Sequence, residues 1–352
     1  MTGICGFVGS SIARSLLGSM EDLSILGVDN LIRPGSELNR RSLTKLGVQF
    51  IHADLRAASD VESLPKVDWV IDAAANASVL AGVDGKTSSR QILEHNLSGT
   101  INLLEYCKRW AAGFLLLSTS RVYAIEPLAS LPIEVFNCAY RLKAGESVPA
   151  GVSSEGLAED FSTAAPISIY GATKLCSEQL ALEYGLSFGF PVWVNRCGVL
   201  AGAGQFGRAD QGIFTYWLHA YKNRRPLKYI GFTGEGYQVR DCLHPSDLSI
   251  LVAQQLGDPG RAGRRVQNVS GGVEQSMSLL QLSDWCSNRF GAHEVVSVAE
   301  NRPFDIPWMV LNSKQAQTQW NWKPRMNLTR ILEEIALHAE THPDWLEMSA
   351  GN

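Results

Sequence analysis

Short apolar runs alternate with longer segments of helical period through the first half of this 352-residue chain. Leu23–Val28, Val48–Ala53, Val67–Ala73, Gly113–Ser118 and Pro191–Arg196 read as strands. Between them, Ser10–Leu17, Ser88–Trp110 and Ile169–Leu186 carry apolar residues at helical spacing. Such alternation predicts an α/β architecture, a doubly wound parallel sheet with helices on both faces. Beyond Arg196 the strands become sparse, and loops rich in Gly, Pro and Arg interrupt short helices. The pattern divides the chain into a sheet domain, 1–196 with a later return near 240–269, and a smaller mixed α/β domain, 197–239 and 270–345. Val266–Val269 is expected to return to the main sheet.

A glycine-rich turn begins at Thr2, where a doubly wound sheet would place its central strand first. Without that strand the backbone groups of both neighbours would lack partners. The reading therefore expects a truncated first strand, a short or vacant central position, and about five to eight mostly apolar residues upstream in the natural frame.

Composition changes this picture little. The apolar share is ordinary, and a net charge of −4 gives no general attraction to nucleic acid or to anionic membranes. The seven cysteines are scattered, without CxxC or Cys/His spacing, which reads as reduced thiols in a cytoplasmic protein with no metal site.

Candidate chemistry enters with Thr2-Gly-Ile-Cys-Gly-Phe-Val-Gly-Ser10. Gly3, Gly6 and Gly9 let a backbone approach a pyrophosphate, and the helix that follows supplies amide donors, with Phe7 and Val8 beside them. Asp29 ends the next strand, ahead of Asn30, and a carboxylate there accepts ribose hydroxyls and repels a 2′-phosphate. This combination points to NAD. Asp54 and Leu55 at one further strand end fit beside an adenine, and Ala73, Ala74 and Ala75 at another fit beside ribose and pyrophosphate.

Leu115–Tyr123 ends a buried strand in hydroxyls, Ser118-Thr119-Ser120, followed by Arg121. Tyr170 and Lys174 are four apart, on one helical face. A lysine ammonium and a nicotinamide charge lower a phenol pKa, which makes Tyr170 a usable base, while Thr119 holds the substrate hydroxyl.

On these residues the chain resembles the extended short-chain dehydrogenase/reductase (NAD-dependent epimerase/dehydratase) family over nearly its whole length. The resemblance rests on Thr2–Gly9, Asp29, Asn96-x-x-Gly99-Thr100, Ser118-Thr119-x-x-Val122-Tyr123, Tyr170-x-x-x-Lys174, Arg240-Asp241-x-x-His244-x-x-Asp247 and Arg302-Pro303. It implies a Rossmann-type fold and catalytic Thr119, Tyr170 and Lys174. It also implies an NAD-supporting Asn96, with Tyr170, Lys174 and Gly198 also at the cofactor. The substrate would be a nucleotide-diphosphate sugar, met by Thr119, Arg121, Gln211, Arg240 and Arg302, and the assembly a homodimer.

Departures narrow the reaction. Family members that eliminate water carry Asp-Glu straight after the catalytic Thr, and here Ser120 and Arg121 stand there. Members that epimerise beside a ketone carry a Cys near this strand end, where this chain has Arg121, and 4-epimerases usually have Asn at the place of Val199. Gly202–Gly212, Gly236–Asp241 and Asn30–Asn39 look like the CDP-paratose (CDP-tyvelose) 2-epimerase group. The implied cycle is transient oxidation and re-reduction at one sugar carbon. A 4-epimerase, reductase or decarboxylase on the same scaffold, and a non-catalytic NAD-binding protein, are the alternatives.

Overall fold

The computed structural model describes the chain except for residues 84, 86, 87, 209, 210, 351 and 352. A parallel sheet forms where the apolar runs predicted one. Strand β1 (Leu26–Asp29) pairs with β2 (Gln49–His52), and β3 (Trp69–Asp72) with β4 (Gly113–Thr119). Strand β4 pairs in turn with β5 (Val192–Cys197), and β5 with β6 (Val266–Val269) at the edge. Between β1 and β3 stand only Met1 and Thr2. Thr2 makes parallel bridges to both Val28 and Asp72, and its amide donates to the Ile71 carbonyl at 3.0 Å. The central position is thus short. The Thr2 hydroxyl donates to Asp72 Oδ1 at 2.7 Å and accepts from the Ala73 and Ala74 amides, which ties the glycine turn to the end of β3.

Side chains of β4 alternate between two cores, as a strand covered on both faces requires. Phe114 and Leu116 pack with Leu103, Leu104 and Ala181, from helices α2 (Gly99–Trp110) and α3 (Ser168–Phe188). On the other face Leu115 packs with Ile12, Leu16, Leu248 and Leu251. Those residues come from α1 (Phe7–Ser19) and α4 (Pro245–Gly257). Each such side chain contributes about 1.5–3 kcal/mol by leaving water. No helix among the described residues is long and apolar enough to cross a membrane.

Three features differ from the sequence pattern. The segment 88–110 is broken by a wider π turn over Glu94–Ser98, which carries Asn96. Two hairpins, Ile133–Phe136 with Ala139–Leu142 and Val152–Ser153 with Gly156–Leu157, fill the span between β4 and α3. Val239–Leu243 does not return to the main sheet. It pairs instead with Val199–Leu200, Ser276–Ser278 and Trp308–Met309 in a separate mixed sheet. Strands of two to five residues leave no readable period, which is why this part looked poor in strands. Helices Ile213–Lys222, Leu279–Phe290 and Leu328–Thr341 share a core here through Trp217, Leu282 and Ile335.

Candidate active site

The glycine turn is built to bring backbones together. Gly3 has φ +57°, and a Cβ on it would lie 2.9 Å from the Ala73 carbonyl oxygen. A Cβ on Gly9 would collide with the Gly3 carbonyl. The Gly6 amide closes the turn on Gly3 O at 3.0 Å, and α1 starts at the next residue, so its free amide ends meet a cleft of about 400 Å³. Gly3, Gly6, Phe7, Val8 and Gly9 form one wall. Asp29, Asn30, Asp54, Leu55, Ala73, Ala74 and Ala75 form the rest of the lining that the sequence singled out. A floor of glycine and alanine leaves room for a flat, elongated group against the backbone, and the helix start suits its anionic centre.

Asp29 is fixed by two backbone donors, the Cys5 amide at 2.9 Å on Oδ2 and the Leu31 amide at 2.8 Å on Oδ1. A carboxylate has lone pairs to spare for ribose hydroxyls. Asp54 is differently placed. Arg56 holds it through Nε at 2.9 Å and keeps its carboxyl well below the usual carboxylate range. Arg33, Arg56 and Arg208 also line the cleft, but Arg33 is engaged by Gln211 Oε1 at 2.8 Å and by the Phe206 carbonyl, Arg56 by Asp54, and Arg208 by the Ser349 carbonyl at 3.2 Å. Asp29→Ala is expected to weaken NAD binding by about 1.5–3 kcal/mol, the worth of a charged hydrogen-bond acceptor, and to relax the preference over NADP. Calorimetric titration with each dinucleotide measures this, and an unaltered protein that binds NADP more tightly than NAD contradicts it.

Four further residues that the resemblance implied at the cofactor do not line this cleft. Asn96 is buried behind the cleft, where Oδ1 accepts from the Asn76 amide at 2.8 Å and Nδ2 donates to Asn76 O and to Thr173 Oγ1. It positions the loop after β3 against α3. Lys174 is 2% exposed and lines neither cavity; burial pushes its ammonium down, while Asp72 and Glu178 pull the other way. Tyr170 and Gly198 line a second cavity, of about 500 Å³.

That second cavity gathers Thr119, Arg121, Tyr170, Gln211, Arg240 and Arg302. It shares Ala77, Gln205 and Gln211 with the first, so the two meet at one junction. The string 202–212 that forms part of the junction includes Ala209 and Asp210, which lie outside the described residues. Strand β4 delivers Thr119 to the cavity and then turns tightly over Ser120–Val122, with Thr119 Oγ1 accepting from the Arg121 amide at 3.2 Å. Gly171 makes the next step possible. Any Cβ there would collide with the Arg121 carbonyl oxygen, so α3 approaches the turn closely and sets the Tyr170 phenol beside Thr119.

Burial pushes the Tyr170 phenol up to about 12; the Thr119 hydrogen bond and the Arg121 guanidinium pull it down. Burial and Arg240 push Arg121 itself down to about 10, so it stays cationic at neutral pH. Arg240 pairs with Asp305 at 3.1 Å. Among the described residues that line the cavity, four are cationic, Arg121, Lys228, Arg240 and Arg302, and the single carboxylate is Asp305. Such a recess favours an anion. Cys197, His95 and His244 line no part of it, and burial pushes the Cys197 thiol up to about 12.

Sequence reasoning missed the support beneath these groups. Glu178 is fully buried and accepts from Arg196 through Nε at 3.1 Å and Nη2 at 2.7 Å, and from Ser118. Arg196 continues to the Tyr123 hydroxyl at 3.3 Å, which donates to Asn268 Oδ1 at 2.6 Å. A signal was present, because Tyr170, Lys174 and Glu178 recur every four residues on one face of α3.

The model of the NAD dependent epimerase/dehydratase family matches residues 1–267. The CDP-paratose 2-epimerase of Salmonella typhi is 29% identical, over 93% of this chain and 94% of that protein. The UDP-glucuronate 4-epimerase of Thermodesulfobacterium geofontis is 25% identical, over 95% and 93%. Among solved structures, the UDP-glucose 4-epimerase of Thermus thermophilus in complex with NAD superposes with a TM-score of 0.74, at 24% identity, over 96% of this chain and 97% of that one.

Proposed function

We propose, from the premise that the chain belongs to the NAD dependent epimerase/dehydratase family, that it inverts one hydroxyl-bearing carbon of a nucleotide-diphosphate sugar. A CDP-sugar is the favoured substrate, in the manner of the CDP-paratose 2-epimerase that the chain resembles. One observation carries the reading. The phenol of Tyr170 stands in a cavity rich in arginine, and that cavity opens onto the glycine-turn cleft.

In this reading the cleft holds the dinucleotide through the α1 amides, Asp29 and the alanine floor. Bound NAD supplies a hydride acceptor and, through its oxidised ring, a positive charge that favours the Tyr170 phenolate. Thr119 orients the substrate hydroxyl, and Tyr170 takes its proton as the carbon-bound hydrogen leaves as hydride. Arg240 and Arg302 hold the diphosphate with bidentate geometry. The ketone then presents its opposite face, hydride returns, and Tyr170 gives its proton back. Elimination would need a further acid and base, and Ser120 and Arg121 supply neither. We place the enzyme in the cytoplasm as a homodimer.

The test is a panel of CDP-, UDP- and dTDP-sugars followed by product analysis. The expected product is a CDP-sugar inverted at one carbon, with no net consumption of NAD(H). Net oxidation or reduction, loss of water or loss of carbon dioxide would assign the chain to a different reaction.

A further inference from the structure

We propose that Arg121 grips the substrate's β-phosphate beside Tyr170 and so selects, for inversion, the carbon next to the anomeric carbon. The proposal rests on the epimerase reading above and names what directs it.

Both ends of Arg121 are anchored. At the backbone end, its amide is held by Thr119 Oγ1 at 3.2 Å, and its carbonyl lies against Gly171, the neighbour of Tyr170. At the far end, Nη1 donates to the Phe304 carbonyl at 3.3 Å. The adjacent Asp305 holds Arg240 at 3.1 Å, and Arg302 precedes them on the same turn. One side chain therefore spans the distance from the acid–base tyrosine to the arginines suited to a diphosphate.

That short span constrains the sugar. The β-phosphate of a nucleotide sugar hangs from the anomeric carbon through one oxygen. The hydroxyl on carbon 2 is vicinal to that linkage, whereas the hydroxyl on carbon 4 lies across the ring. A phosphate drawn to Arg121 brings the carbon 2 hydroxyl to Tyr170 and Thr119 and leaves carbon 4 directed away. Guanidinium suits the task, because its planar fork meets two phosphate oxygens at once. In the resulting step the carbon 2 O–H proton passes to the Tyr170 phenolate. The C2–H bond breaks with its electron pair leaving as hydride to the cofactor, and a carbonyl forms at carbon 2. The return step reverses each transfer on the other face. Arg121 is unchanged throughout, which makes it a positioning residue.

The experiment compares the purified full chain with R121M and R121K in two readouts. Calorimetric titration with CDP and with CMP isolates the β-phosphate. R121M is expected to lose about tenfold or more in CDP affinity with CMP binding unchanged, and R121K to recover part of the loss. Equal losses for CDP and CMP, or no loss for either, would overturn the grip. The second readout is the kinetic isotope effect on CDP-sugar deuterated at carbon 2 or at carbon 4. A primary effect confined to carbon 2 is expected, and one at carbon 4 overturns the selection. If no nucleotide sugar is epimerised, the epimerase reading falls and takes the selection of carbon 2 with it, and the calorimetric arm still decides whether Arg121 holds the β-phosphate.

Discussion

Tyr170→Phe is expected to cut turnover by about a hundredfold or more, the usual scale for removing a general acid–base group. The substitution removes one hydroxyl and almost no volume. The residue is 7% exposed, and its ring packs with Ala81 and Ile92. Folding should survive, as should NAD binding, because the phenol lines the arginine-rich cavity and not the glycine-turn cleft. Thr119 would retain its bond to the Arg121 amide and could still hold the substrate hydroxyl. Turnover, thermal melting and NAD titration on the same preparation separate these effects. Turnover near that of the unaltered protein would move the chemistry away from Tyr170.

The second large effect lies beneath the site. Glu178→Ala is expected to lower stability by about 3–5 kcal/mol, the cost of breaking a buried pair and leaving a charge behind. Glu178 is fully buried, and Arg196 is 5% exposed, so water cannot replace the lost partner. The pair also joins α3 to β5, and through Ser118 to β4, the elements that carry Tyr170 and Thr119. Some of the lost stability should therefore appear as misplaced catalytic groups, with turnover falling even where the protein remains folded. Urea unfolding of the variant and of Glu178→Gln measures the effect. An unfolding midpoint unchanged in both variants would show that the network carries no stability.

Legibility in the sequence followed the physics of each element. Long helices and buried strands repeat their apolar positions often enough to be read. β4 and α3 lie within a residue or two of their expected bounds, and β6 joins the sheet edge as expected. Cleft residues from Gly3 to Ala75 were readable because strand ends and glycine turns leave compositional marks. Arg121, Gln211, Arg240 and Arg302 were legible only through family resemblance, since a lone polar side chain carries no periodicity. Long-range partnership was not legible. Nothing local links Glu178 with Arg196, Arg33 with Gln211, or Asn96 with Asn76; each pairing exists only once the sheet brings distant segments together. The short strands around Val239–Leu243 were missed for a related reason, because their pairing partners lie far along the chain.

The central claim is that inversion proceeds by removal and return of hydride at a single carbon, with Tyr170 as the acid–base group. An enolising route would need another base to strip a carbon-bound proton and an acid on the opposite face. Among the described residues that line the cavity, the only carboxylate is Asp305, and Arg240 holds it. The most direct measurement is the reaction run to equilibrium in deuterium oxide on the CDP-sugar that the panel identifies, with the product weighed by mass spectrometry. The hydride cycle leaves the carbon skeleton free of deuterium. Stoichiometric deuterium at the inverted carbon would contradict it.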